Sequence, residues 1–551
     1  MRKYLIKRIL FSIFSLFVVV MVVMLLVYTM IERSVIFQTD DTWNKKSNND
    51  RTMYEYTQYQ KYGYLTFVDY SNFLKSKYTE KVGEGYDKDK GFKADKKAIQ
   101  TVKDFEEDKD GKILLTEKTK TTPVSYIGKS DAIREFVEEY SAKGYKIVYL
   151  KPDTYKNGKA KPGGNGYLIA VQEKNVVYRL WDYTKGFITA ENRHMIEDEE
   201  LPEEERYIRF EKDPYSGLFA LVGNGTQHKY LLYFDGRFPF VHQNWLHLNL
   251  GTSYTTYRGQ EITTVINNPT GDLKVSRQQY PTMLGTDEYV DTAIDFHTLS
   301  YNTGKVSDKE KEMFPDKYTV YAYQRSGLSM IENSFVIGLI ATAIAYAFGL
   351  PLGMLMARRK DKLADKLGNA YIIFIMAVPS LAYIFMFAAV GTTLLHLPYK
   401  FAMAETKILA YILPTISLSL PWTGNLMKWM RRYMIDQMNS DYVKFARAEG
   451  LSEKEIYRIH ISKNAFIFLV HGVPGAILGN LVGAIITESV YSVPGVGRLL
   501  TEAINKHDNG VIVAVTVFYT TLSILAQILG DLLLAKYDPR ISLNADKGGG
   551  R

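Results

Sequence analysis

The most informative spacing in the chain is Asp441-Tyr442-Val443-Lys444-Phe445-Ala446-Arg447-Ala448-Glu449-Gly450-Leu451-Ser452-Glu453-Lys454-Glu455. Asp441 can cap a first short helix, and Gly450 suits its C-terminal turn. Ser452 followed by Glu455 matches a capping box that opens a second helix. Ala446 and Ala448 keep the surface before the turn small, while Arg447, Glu449 and Glu453 set charges around it. This pattern carries no covalent chemistry. It builds a compact projection able to seat in a groove of another protein, and its mixed charges argue against a basic helix lying on a lipid surface.

Other chemistries lack their residues. No Gly-x-x-x-x-Gly-Lys-Ser/Thr occurs, so the chain has no phosphate cradle for ATP and is not expected to be an enzyme. With no cysteine, disulfides and thiolate metal sites are excluded. His396 and His471 are isolated, and no metal site is expected. The acidic run Glu197–Glu205 reads as a solvated surface, and most of the 41 tyrosines as core, with a ligand-stacking surface the minor reading.

These residues sit among apolar runs that must place them. Ile9 to Met30 is uncharged and long enough to cross a bilayer at about 1.5 Å per residue. It continues into Ile31-Glu32-Arg33 without a small-residue cleavage site, so it reads as a retained anchor. Further runs cover Asn333–Met356, Gly368–Leu395, Ile408–Met427, Ala465–Thr487 and Val511–Leu534, making six expected spans. Pro351, Pro379, Pro414, Pro421 and Pro474 bend them, and Gly475, Gly479 and Gly483 give one helix a small-residue face for close packing. Glu332, Glu488 and Asp531 fall near span ends, and the scarcity of mid-span charge argues against an ion-coupled carrier.

The net charge of +8 lies in the membrane portion, because the long polar block after the first span is close to neutral; nucleic-acid binding is not indicated. With the N-terminus inside, Arg2, Lys3, Lys7, Arg8, the Arg358–Lys366 loop, the Lys428–Lys463 loop and the C-terminal tail are all cytoplasmic, as the positive-inside rule requires. The polar block is then outside. Its first part, Asp40 to Lys120, predicts loops, short helices and weak packing. Tyr145–Leu150, Tyr167–Val171, Val176–Leu180 and Tyr230–Phe234 predict strands of an α+β domain.

The loop resembles the EAA coupling loop of ATP-binding cassette importer permeases, in their oligopeptide, dipeptide and nickel branch. The resemblance rests on Ala446-Arg447-Ala448-Glu449-Gly450-Leu451-Ser452, His460 and Lys463-Asn464-Ala465, and on Leu250-Gly251-Thr252-Ser253-Tyr254, Leu350-Pro351-Leu352-Gly353, Leu413-Pro414, Leu420-Pro421, Val493-Pro494-Gly495-Val496-Gly497-Arg498 and Asp538-Pro539-Arg540. Lys444 and Phe445 stand where the wider class has Glu and Ala, and the proline often found after Asn-Ala is replaced near Phe468. The enlarged outer block looks like that of the Gram-positive, Ami-type oligopeptide subunit.

The resemblance implies a polytopic α-helical membrane protein, type I importer-like, with six transmembrane helices and a large inserted extracellular α+β domain. Residues 1–31 form the cytoplasmic tip and first span, 32–240 the inserted domain, 241–328 an extracellular segment, 329–535 the permease core with its coupling loop at 429–464, and 536–551 a cytoplasmic tail. It implies a multi-pass protein of the cell membrane, in a Gram-positive bacterium, taking up oligopeptides; nickel or another small solute is the alternative cargo, and a membrane receptor is a second class. Implied partners are a paralogous permease, two cytoplasmic ATPases that hold ATP and Mg2+, and an external lipid-anchored peptide-binding protein. Asp441, Ala446, Arg447, Ala448, Glu449, Gly450, Leu451, Ser452, Glu453 and His460 become the ATPase-coupling residues. Gly251, Thr252, Ser253, Tyr254, Asn333 and Glu488 are candidates for the outer mouth of the pathway.

Overall fold

The computed structural model describes residues 2–30, 33–100 (except 84), 131–159 (except 156–158), 161–195, 202–268 (except 214–216 and 235–240) and 327–537 (except 405). It also describes short strand pairs joining 105–107 to 113–115, 273–274 to 324–325, and 276–279 to 289–292. Residues 197–200 of the acidic run, residues 101–104 and 116–120 of the polar stretch, and Asp538-Pro539-Arg540 lie outside the described residues.

After helix α1 (Arg2–Met30), the polar block folds around two sheets. In the first, β1 (Leu65–Asp69) and β2 (Lys146–Leu150) flank the central β3 (Tyr167–Glu173), all antiparallel. Alternation along β3 fills both faces. Leu168 and Ala170 enter a core with Tyr70, Leu74, Ile133 and Phe136, while Ile169 and Val171 meet Met53 and Tyr56 on the other side. The stretch expected to pack weakly therefore does the opposite: helices Asn48–Lys61, Tyr70–Val82 and Lys90–Ala98 cover the sheet, with Tyr70 and Leu74 fully buried. Its polar composition belongs to the outward faces, and its tyrosines supply the apolar area.

A second sheet orders Val241–Gln243, Tyr230–Phe234, Phe219–Gly223 and Ile208–Lys212 side by side. The expected strand at Val176–Leu180 is a helix, α2 (Val176–Gly186). The Asn175 side chain caps it by accepting from the Val177 amide at 3.0 Å, and this start signal outweighs the β-branched pair that follows.

Among the described residues, four helices are individually long and apolar enough to cross a membrane: Ile6–Val27 within α1, α3 (Met330–Arg358), Val473–Tyr491 and Asn509–Tyr537. The expected single span Gly368–Leu395 is instead a bent pair, Leu363–Ala377 and Ser380–Leu395, meeting at 113°. Val378 is extended because it precedes Pro379, and the helix cannot run through. The next helix, α4 (Lys407–Met438), has 32 residues and is long enough to cross, but its Ser, Thr, Pro and basic residues lower its hydropathy. The expected span Ala465–Thr487 is likewise interrupted, at His471-Gly472, with Pro474 in the first turn of α5 (Val473–Tyr491).

Small residues set how closely these helices approach. A Cβ on Gly349 would lie 2.8 Å from Leu426 Cβ, and one on Gly353 would lie 2.8 Å from the Met427 carbonyl, so α3 lies directly on α4. On α5, Gly479 faces Trp422, whose ring would lie 2.2 Å from a Cβ added there, whereas a Cβ on Gly475 would meet nothing within 4 Å. Gly479→Ala should therefore cost about 1–3 kcal/mol by overpacking a rigid indole. Thermal unfolding of the detergent-solubilised chain should show a lowered midpoint for Gly479→Ala and an unchanged or raised one for Gly475→Ala; equal midpoints would contradict this packing.

Candidate functional site

The polar hairpin is built on the inner end of α4. Helix α6 (Asp441–Ala448) begins with Ser440 at its cap position, so Asp441 is the first helical residue and not the cap. Its carboxylate instead takes Lys444 Nζ at 2.9 Å, and this ammonium holds it below the ordinary aspartate range. The helix closes where the Leu451 amide reaches the Ala446 carbonyl at 3.2 Å, with Gly450 at φ +82°, a left-handed conformation that glycine alone adopts freely. Across this turn Arg447 grips Glu453 with Nε 2.6 Å from Oε1, and the guanidinium keeps that carboxyl below its usual range. The Ser452 hydroxyl accepts the Glu455 amide, as its motif predicts. The second arm does not stop: Glu453–Glu455 passes through a π-helical turn, Ile456–Ile461, into Ser462–Val470.

One face of the hairpin is locked to the bundle. Val443, Ala446, Ile456 and Ile461 are buried in one core with Met430 and Met434 of α4 and Ala345 and Leu350 of α3. Tyr457 adds a hydrogen bond to the Met354 carbonyl at 2.9 Å. The opposite face is open. Arg447, Ala448, Glu449, Gly450, Ser452 and Glu453 are exposed, Leu451 and His460 are half-buried, and Phe445 projects a 65% exposed ring. In the sequence Phe445 stands out only as a departure from a motif. Its signal is an aromatic residue on the polar face of a helix whose apolar face is Val443 and Ala446. Phe468, the other departure, stacks on Tyr433 at 5.2 Å.

The other predicted residues fall into two further clusters, apart from the hairpin. Ser253 and Tyr254 are buried beside Asp508, which precedes the last helix, Asn509–Tyr537. The Asp508 carboxylate accepts the Ser253 hydroxyl at 2.7 Å and the backbone amides of Tyr254, Thr255, Thr256 and Val511 between 2.9 and 3.2 Å. Gly251, Thr252 and Tyr254 line a pocket of about 220 Å³ with Lys61, Arg179 and Asp182. Asn333 and Glu488 form the second cluster. Asn333 donates to the Pro494 carbonyl at 2.8 Å, and Glu488 accepts from Ser334 at 2.6 Å and the Arg498 amide at 3.0 Å. A Cβ on Gly495 would lie 2.2 Å from the Glu488 carboxylate, which explains that glycine. Asp508 escapes a sequence reading because Ser253, Tyr254, Thr255 and Thr256, four of the five residues that donate to it, stand more than 250 residues away in the chain.

A family model described as the inner membrane component of binding-protein-dependent transport systems matches residues 349–543. The oligopeptide transport system permease protein AmiC of Streptococcus pneumoniae is 33% identical over 555 residues, covering 100% of both chains. The dipeptide transport system permease protein DppB of Lactococcus lactis is 30% identical over 213 residues, 38% of this chain and 69% of that one. Among solved structures, the inward-facing methionine ABC transporter MetNI aligns with a TM-score of 0.32 at 13% identity, over 37% of this chain and 93% of that one.

Replacing Asp508 by Asn leaves several buried donors competing for one amide oxygen, at a cost of at least about 2 kcal/mol. A lowered thermal midpoint for the purified Asp508→Asn chain is expected, and an unchanged one would contradict the role given to this carboxylate.

Proposed function

Because the chain belongs to the permease subunits of ATP-binding cassette oligopeptide transport systems, we propose that partner ATPases act on the Gly450 hairpin and that the hairpin tilts the helices to which it is keyed. The protein is a multi-pass membrane permease of a peptide importer, and a transport subunit that works with ATPase and further permease subunits. In the finer reading, six spans cross the membrane, with the bent pair as one and α4 as another. Both termini face the cytoplasm, and the domain between the first and second spans is extracellular. A paralogous permease completes the pathway, two cytoplasmic ATPases hold ATP and Mg2+, and a lipid-anchored protein delivers peptides. ATP binding belongs to those partners, since this chain supplies no Gly-x-x-x-x-Gly-Lys-Ser/Thr phosphate cradle.

The observation that carries this reading is the two-faced hairpin. Val443 and Ile456 are fully buried against α3 and α4, so an applied force moves helix and hairpin together. Phe445, Glu449 and Gly450 are exposed at the tip, so a partner can apply that force. ATPase closure and reopening then bias the bundle between its outward-facing and inward-facing states. The small exposed Ala448 lets the partner surface approach, Ala446 lets the helix settle onto the bundle, and Arg447–Glu453 stiffens the turn.

Two experiments test this. The absence of cysteine allows single-cysteine labelling of intact cells: Val177→Cys should react with an impermeant maleimide and Phe445→Cys only after permeabilisation, and the reverse pattern would invert the topology. Glu449→Ala, Phe445→Ala and Gly450→Ala should leave the complex assembled in the membrane yet reduce peptide-stimulated ATP hydrolysis and uptake by roughly tenfold, equivalent to about 1.4 kcal/mol of coupling. Normal stimulation in all three variants would remove the hairpin from the mechanism.

A further inference from the structure

Glu191 follows strand Ile188–Ala190 and is only 2% exposed. Its backbone is fixed on both sides by one residue: its amide donates to the Trp245 carbonyl at 2.9 Å, and its carbonyl accepts Trp245 Nε1 at 3.0 Å. The pairing of Ile188–Ala190 with Leu246–Leu248 places Thr189 opposite His247, whose Nε2 lies 2.7 Å from Glu191 Oε1. A third segment supplies His228, whose Nδ1 reaches the same oxygen at 2.5 Å. The His228 amide donates to the other oxygen, Oε2, at 2.9 Å, and Thr226 holds that turn by donating to the His228 carbonyl at 2.6 Å.

One carboxylate and two imidazoles thus converge, their donor atoms all within 4.8 Å of one another. The two rings stack at 5.6 Å and 26°, which sets both imidazoles side by side against the one carboxylate; imidazole nitrogens are common metal ligands. The backbone amide on Oε2 orients the carboxylate as outer-shell donors orient metal ligands. Small side-chain rotations bring the three donors to the roughly 2.0–2.2 Å bonds that nitrogen and oxygen ligands make to zinc.

We propose that Glu191, His228 and His247 form a divalent transition-metal site of the zinc class, which clasps three segments of the outer domain. The donor set, two imidazoles and one carboxylate without thiolate, suits Zn2+ over Ca2+ or Mg2+. Its imidazoles are 22% and 36% exposed, so a fourth position faces solvent and takes water. A chain without cysteine cannot cross-link this domain through disulfides, and a metal supplies an equivalent tie. No metal is expected from the sequence because the donors are separated by up to 56 residues and match no short motif. The site is independent of how the hairpin couples to ATPases.

The untagged full-length chain in detergent, stripped with a chelator, is titrated with Zn2+ and Co2+. One Zn2+ per chain is expected, with protons released on binding, a visible Co2+ spectrum of low coordination number and a raised thermal midpoint. His228→Ala with His247→Ala should abolish all four, while His194→Ala, a histidine paired with Glu203 in the same domain, should retain them. Absence of stoichiometric Zn2+ from the wild-type chain, or its persistence in the double variant, would overturn the site. Should the double variant not fold, electron paramagnetic resonance of Cu2+ on the wild-type chain decides: two coordinated nitrogens support the site, and none overturns it.

Discussion

The bundle depends on the direct packing of α4 against α3, which Gly349 and Gly353 permit by leaving no side chain between the two backbones. Through that contact a single helix of 32 residues runs along the bundle to the hairpin. Its inner end carries Met430 and Met434 into the core that also holds Val443, Ala446 and Ile456. Close packing of this kind transmits displacement because its interior has two arrangements or one, and little compliance between them. A bidentate pair, buried Asp365 with half-buried Arg431 at 2.6 and 2.8 Å, fastens the start of the bent pair to the same end of α4. Breaking such a pair would strand a charge in a dry place, so the three elements move together.

Away from the hairpin, carboxylates do the fastening. Asp508 gathers the amides of residues 254 to 256 onto the start of the last helix, and Glu488 gathers Ser334 and the Arg498 amide around the close-fitting Gly495. Each combines a distant serine hydroxyl with backbone amides, and such donors satisfy the oxygens of a buried carboxyl group. The domain between α1 and α3 thereby joins the bundle through a packed seam, with Val20 and Met24 of α1 against Leu250 and Val513 in the same core.

Much of this was legible in the sequence because its determinants are local. Uncharged runs marked the apolar helices, β-branched and aromatic runs marked β2, β3 and Tyr230–Phe234, and Gly450 before Leu451-Ser452 marked a C-terminal turn whose φ is +82°. The failures are equally specific. Val176-Val177 reads as strand until the Asn175 cap is weighed, and the continuous apolar run around Val378-Pro379 hides a 113° bend. Asp508 and the Glu191 group have no local signature, since what defines each is which distant segment arrives beside it. Phe445 was visible, but only its exposure, set by which face of α6 is buried, separates a docking ring from a core residue.

The most direct measurement of the central claim places spin labels at Phe445→Cys on the hairpin and Lys428→Cys on the inner half of α4, in the complete importer. Double electron–electron resonance is recorded without nucleotide and with ATP trapped in closed ATPases. Hairpin and helix as one body predict an unchanged separation between these labels, while the distance from either to a label at Leu525→Cys on the last helix shifts. A changed separation between 445 and 428 with the bundle distances fixed would contradict the lever.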